Sequence, residues 1–308
     1  MSSNDAAISD ASARLNRRAP VSFSHWAQIA AFILPALALF LIFVIVPMIE
    51  AVWYSFYKWN GYGPITNFIG LNNYILILSD PVFRHALLDN FLIIMVSIFV
   101  QIPLAIWLAT IVAKPLRGMV FFRALFFLPY VLADVAAGVI WHFVYDGNYG
   151  VLAGIAQLFG QQAPFILGDR TWAIYGILLV IVWKFFGFHM MLFLAALQGM
   201  DKSLVEAAQI DGASSRQLFR HLTLPLLRPT IALSVFFSII GSLQTFDTIM
   251  ALTSGGPSNS TQTMVTYLYI FGAQHLKVSF GTAAGVVLFL MSAIFAFVYR
   301  RLAMREEK

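Results

Sequence analysis

A lysine stands in the middle of an apolar run, Ile181-Val182-Trp183-Lys184-Phe185-Phe186-Gly187-Phe188-His189. An ionisable group inside a membrane-length apolar segment is costly to bury, so it marks a solute path, a proton relay or an internal ion pair. Phe188 follows one turn later, and the next apolar run carries Ser238, Gly241, Ser242, Gln244 and Asp247. An aromatic face beside hydroxyl and amide groups suits a polyol, which offers C–H faces and hydrogen-bonding rims. The same residues also fit a polar network that only joins helices, or an ion pair such as Lys184–Asp247. Asp134 and Gln101 sit in two further apolar runs. His142 and His189 read as satisfied polar residues, because no His/Asp/Glu cluster has ligand spacing, and no metal is expected. No Ser/His/Asp arrangement or carboxylate pair stands out, so no catalytic residue is expected.

A second constellation is the polar stretch Ser203–Pro229, SLVEAAQIDGASSRQLFRHLTLPLLRP. Ser203 to Glu206 spells a capping box, in which serine takes the N3 amide and glutamate reaches back. Ala207 and Ala208 continue that helix well, and Gly212 suits the left-handed turn that ends it. Ser214 to Gln217 spells a second capping box, so a second helix starts at once. Pro225 and Pro229 then stop that helix or open the next segment at its first turn. The expectation is helix, glycine turn, helix.

The surrounding elements are apolar. The chain has 308 residues, of which 60% are hydrophobic and 11% charged, with a mean hydropathy of +0.81. Soluble domains carry about 25% charged residues, so this is an integral membrane protein. The net charge of +5 does not point to nucleic acid, because the basic residues sort by loop and form no single patch. Cysteine is absent, which removes disulfides and thiolate chemistry.

Six membrane-spanning helices are expected, at about 27–54, 90–113, 120–145, 171–196, 229–252 and 281–302, each near the roughly 20 residues that cross a bilayer. The first is too long for the h-region of a signal peptide, and Pro35 and Pro47 are its expected kinks. Residues 1–26 and 304–308 read as tails, with 27–303 as one transmembrane domain. Tyr74–Leu78 and Met264–Phe271 are too short to span and are expected in loops or as interfacial helices. With the N-terminus inside, fourteen of the 19 Lys and Arg fall on the inner side and four on the outer, with Lys184 within a span. That asymmetry puts both termini and the 203–229 unit in the cytoplasm. Gly281 and Gly285 have the spacing that lets helices approach closely.

Glu206-Ala207-Ala208, Asp211-Gly212-Ala213, Phe219, Leu224-Pro225 and Pro229 resemble the EAA loop of binding-protein-dependent ABC importer permeases. Phe68 to Tyr74, Ser79 to Phe83 and Leu252 to Pro257 resemble stretches of its sugar-transport branch, that of the maltose-permease larger subunit and the glycerol-phosphate permease first subunit. The large periplasmic insertion of the maltose subunit is absent. The resemblance implies an all-α, six-span type I importer permease fold in a bacterial inner membrane. It implies that the EAA loop seats in a separate ATPase, with Glu206, Ala207, Ala208, Asp211, Gly212, Ala213, Phe219, Leu224 and Pro225 as coupling residues. It also implies a sugar path past Lys184, Phe188, Ser238, Gly241, Ser242 and Asp247. This sequence lacks the G-x-x-x-x-G-K-[ST] signature. ATP and magnesium would therefore sit on two copies of the ATPase, beside a second related permease, in a heterodimer or a homodimer, and an extracytoplasmic binding protein. An ion-coupled secondary transporter using Lys184 and Asp247 as a relay is the alternative. The six spans fit that reading poorly.

Overall fold

The structure, a computed structural model, describes residues 23–114 and 116–303. Of the expected tails, residues 1–22 of 1–26 and all of 304–308 lie outside the described residues; residues 23–26 open the first helix. Two compact units divide the chain between Trp53 and Tyr54.

The first unit is helical. Helix α1 (Phe23–Phe40) runs through a wide π-turn at Leu41–Ile45 into α2 (Val46–Tyr54). None of the residues in the π-turn or in α2 is buried within the unit. A helix that is apolar all round has lipid or protein as its solvent.

The second unit begins with α3 (Asn72–Ser79), which matches the first of the two short apolar patches. Asp80 then caps α4 (Pro81–Val96), its carboxylate accepting from the Val82 amide at 2.8 Å. A second π-turn, Ser97–Gln101, joins α4 to α5 (Ile102–Val112). Together these make one apolar helix of 32 residues, Pro81–Val112. The expected span at 120–145 is instead two helices, α6 (Met119–Val131) and α7 (Asp134–Val144), meeting at 98°. The residues between them, Leu132 and Ala133, are extended. After α8 (Val151–Leu158) comes α9 (Ala173–Gln198), the most enclosed of the long helices.

The polar unit follows as α10 (Lys202–Ile210), α11 (Ser215–Leu218), a π-turn at Phe219–Thr223 and α12 (Leu224–Leu226). A 64° bend leads into α13 (Arg228–Leu243). The expected fifth span stops at Leu243, and Asp247 opens a new helix, α14 (Asp247–Leu252), with its carboxylate in the first turn, where the helix dipole favours it. α15 (Met264–Tyr267) and a wide turn at Leu268–Gln274 precede α16 (Val278–Ala303). The second short patch is therefore helical, and its Met264 and Tyr267 are fully buried within the protein. Among the described residues, four helices are long and apolar enough to span a membrane, and six segments are if each bent pair counts as one.

Three of the π-turns share a cause. Each ends two residues before a proline: Leu41–Ile45 before Pro47, Ser97–Gln101 before Pro103, and Phe219–Thr223 before Pro225. A helical proline has no N–H for the carbonyl four residues back, and its ring crowds that carbonyl. One extra residue in the preceding turn swings the carbonyl aside, so the helix bends little and continues.

Between helices in lipid, close packing replaces the hydrophobic drive. Ala105 and Ala109 of α5 are fully buried in a cluster with Met190 and Phe193 of α9, and Leu227 anchors the base of the polar unit in the same cluster. Gly281 of α16 lies so close to Gly272 that a Cβ on either would overlap the other's Cα. The expected small-residue contact is thus present at Gly281, with Gly285 against Leu268.

Candidate functional site

Lys184 of α9 is 2% exposed and points into the corner between α6 and α7. Its ammonium lies 2.9 Å from Asp134 Oδ1 and donates to the Leu132 carbonyl at 2.5 Å and the Pro129 carbonyl at 3.4 Å. A broken helix leaves carbonyls without intrahelical donors, and in a bilayer each such group costs several kcal/mol. Lys184 satisfies two of them, and Asp134 supplies the countercharge. The pairing considered from sequence, Lys184 with Asp247, is not formed. Asp247 is exposed at the start of α14. A charge relay through these two residues has no geometry to support it.

One turn beyond Lys184 a cavity of about 350 Å³ opens among α4–α5, α6, α9 and α13. That volume is within the range of small-molecule sites. Phe188, Ser238, Gly241, Ser242 and Gln244 all line it, whereas Lys184 and Asp247 do not. One wall is aromatic: Tyr130 stacks on Phe188 with centroids 4.9 Å apart, and Phe237 meets Phe188 edge-on at 5.8 Å. The other wall is polar. His189 bridges two serines of α13, its Nδ1 2.6 Å from Ser234 Oγ and its Nε2 3.3 Å from Ser238 Oγ. Ser242 donates to the Ser238 carbonyl at 2.7 Å. Gln101, 2% exposed, also lines the cavity, and its Oε1 has no protein partner among the described residues. Gln101 stands roughly 17 Å of helix from Val112 at 1.5 Å per residue, about half the hydrocarbon thickness. With Val112 taken as one boundary of the hydrocarbon, the cavity lies near mid-membrane. Both histidines have partners, as expected; His142 Nδ1 lies 3.1 Å from the Leu252 carbonyl. Tyr130 and Phe237 escaped the sequence reading, since at 15% aromatic content no single ring stands out.

The polar unit is a helix pair on the surface. Its first helix starts two residues earlier than expected, at Lys202, because Asp201 is the cap and accepts from the Ser203 amide at 2.9 Å. Ser203 is therefore inside the helix and Glu206 has no capping task. Its carboxylate is exposed. The amide hydrogen bond holds the Asp201 carboxyl below the usual carboxylate range. The helix ends in a Schellman turn: the Ala213 amide reaches the Ala208 carbonyl and the Gly212 amide the Gln209 carbonyl, both at 3.0 Å. Gly212 takes φ +81°, which L side chains resist. The second capping box is formed as expected, with Gln217 N to Ser214 Oγ at 3.4 Å and Ser214 N to Gln217 Oε1 at 2.8 Å. Glu206, Ala207, Asp211 and Phe219 are exposed; Ala208, Ala213, Leu224 and Pro225 are half-buried. Ile210, 86% exposed, leaves an apolar tip on the pair.

Residues 74–308 match the family described as the binding-protein-dependent transport system inner membrane component. The chain belongs to that family. As a member of this permease family it is 36% identical over 284 residues to the lactose transport system permease protein LacF of Rhizobium radiobacter, covering 90% of this chain and 94% of that protein. It is 32% identical over 293 residues to the diacetylchitobiose uptake system permease protein NgcF of Streptomyces coelicolor, covering 91% and 83%. A chain of a bacterial alginate ABC transporter, solved in complex with alginate pentasaccharide-bound periplasmic protein, superposes with a TM-score of 0.81 at 23% identity, covering 91% of this chain and 95% of that chain. At that identity the likeness carries the fold, an ABC importer permease built of helices.

Proposed function

We propose that this chain is a membrane subunit of an ATP-driven bacterial importer that passes a sugar or sugar derivative from an extracytoplasmic binding protein to the cytoplasm by alternating access. The observation that carries the sugar reading is the mid-membrane cavity, where a stacked aromatic face, Tyr130 on Phe188, looks onto Ser238, Ser242 and the unpartnered Gln101 amide. Rings take the C–H faces of a pyranose, and the hydroxyls and amide take its rim. The family and the sugar permeases among its relatives support the same class.

ATP and magnesium are held by a separate ATPase pair. The exposed helix pair Lys202–Leu226 seats in it, with Glu206, Asp211 and Phe219 facing the partner and Gly212 shaping the turn. A second related permease completes the path. The Lys and Arg asymmetry supports both termini, and this helix pair, on the cytoplasmic side.

The test is uptake of labelled sugars into proteoliposomes holding the chain with its co-purifying permease and ATPase, plus the binding protein. Uptake that needs ATP and the binding protein and is stopped by vanadate is the expected result. Uptake that persists without ATP and is abolished by collapsing the proton gradient would overturn it.

A further inference from the structure

A second cavity, of about 520 Å³, lies near the Pro81 end of the long helix, lined by His85, Asp89, Arg170, Thr171, Tyr175 and Ser260 among others. It shares no lining residue with the mid-membrane cavity. Asp89 is 4% exposed and Ser260 is 3% exposed. Asp89 Oδ2 is 3.8 Å from His85 Nε2 and has no hydrogen-bond partner among the described residues, and neither has Ser260 Oγ. Two buried, unsatisfied polar atoms on residues that line one cavity are costly unless something donates to them. Arg170 stands exposed at the rim. Part of the same wall is apolar and open: Leu88 is 64% exposed and Phe91 58%.

Depth narrows the occupant. The helix Pro81–Val112 has 32 residues, roughly 48 Å at 1.5 Å per residue, against a hydrocarbon core of about 30 Å. With Val112 close to one boundary, the first turns after Pro81 stand clear of the hydrocarbon at the other. Asp89 lies about 12 Å along from Pro81, in the headgroup layer. Trp172 and Tyr175, exposed and 5.8 Å apart, mark the same level.

The geometry points to a binding site for a zwitterionic phospholipid with a primary ammonium headgroup, of the phosphatidylethanolamine kind. The ammonium donates to Asp89 Oδ2 and Ser260 Oγ, the phosphate faces Arg170 and the Thr171 hydroxyl, and an acyl chain runs along Leu88 and Phe91. A choline headgroup has no N–H to give, and a glycerol headgroup has no cation. A sugar would leave the apolar wall unmatched.

The test uses the full chain with its co-purifying subunits, in nanodiscs of phosphatidylglycerol mixed with either phosphatidylethanolamine or phosphatidylcholine. Native mass spectrometry reads retained lipid. Wild type should retain the ethanolamine lipid and not the choline lipid. Asp89→Asn should lower that retention about tenfold, the loss expected for one charge-assisted hydrogen bond. Arg170→Gln, at an exposed position that leaves folding intact, should lower it severalfold. Equal retention of both lipids, or retention unchanged in both variants, overturns the proposal. So does a photo-crosslinker at Leu88 that labels a partner subunit instead of lipid.

Discussion

The corner between Met119–Val131 and Asp134–Val144 should depend on one side chain. Lys184→Met keeps the length and apolar stem of the lysine but removes its donors. The carbonyls of Pro129 and Leu132 then lose their ammonium donor. An unsatisfied buried carbonyl costs about 1–3 kcal/mol, so the two together predict a loss of about 2–4 kcal/mol. Asp134→Asn leaves a 2%-exposed ammonium without its countercharge. Breaking a buried pair costs about 3–5 kcal/mol. Since the Asp134 side chain is 40% exposed, water shares the load, and about 2–3 kcal/mol is expected. In the double variant the charge problem disappears, so its cost should fall short of the sum by about 1–2 kcal/mol. Each single change should lower the melting temperature by about 3–6 °C for a chain of this size. Melting in nanodiscs, followed by tryptophan fluorescence, reads this directly, because Trp183 neighbours Lys184 and meets Trp141 of the second helix edge-on at 5.4 Å. A Lys184→Met protein that melts like wild type would refute the reasoning. Strict additivity in the double variant would refute the pairing.

Gly212→Val forces a β-branched residue to φ +81°, costing about 1–2 kcal/mol; membrane insertion should be normal while ATP hydrolysis no longer drives uptake, as paired hydrolysis and transport assays would show. Phe188→Ala removes a ring that lines the cavity; if the sugar loses a contact of about 1.4 kcal/mol there, the half-saturating concentration should rise about tenfold in transport assays. Gly281→Val drives a side chain into the backbone at Gly272, an overpacking cost of about 1–3 kcal/mol that should appear as a lower melting temperature and a reduced yield of assembled transporter. Asp201 has a depressed carboxyl pKa, so its cap is fully present above the ordinary carboxylate pKa. It is lost as pH falls through the lower folded value. Hydrogen exchange at the Ser203 amide should accelerate only at that acidic end, and Asp201→Asn, which still caps, should flatten the dependence.

Much of this fold could be read from residues alone. Long apolar runs marked the long apolar helices Ala30–Tyr54, Pro81–Val112, Ala173–Gln198 and Val278–Arg301, and local chemistry gave the Schellman turn at Gly212 and the capping box at Ser214. What escaped was decided between distant residues. Pro129 is visible in sequence, but the 98° corner it helps to open is held by Lys184, 55 residues away. Its ion-pair partner, Asp134, is about as remote in sequence as Asp247, and sequence separation does not choose between them. Asp201 and Ser203 are both good caps two positions apart, and propensity cannot choose between them. The cavity fared likewise. Its polar residues were legible because they are rare in apolar runs, but Tyr130 and Phe237 vanish into an aromatic background until tertiary packing selects them.

The pairing of a widened turn with a proline two residues downstream has a consequence for how such a chain can change over generations. The extra residue rotates everything after it by about 100°. Deleting it upstream of Pro103 would turn the whole of Ile102–Val112, with Ala105 and Ala109, away from its neighbour. Replacing the proline alone would leave a slack turn with nothing to accommodate. At these three sites insertion and imino acid thus act as a pair, whereas the wide turn at Leu268–Gln274 stands without a following proline.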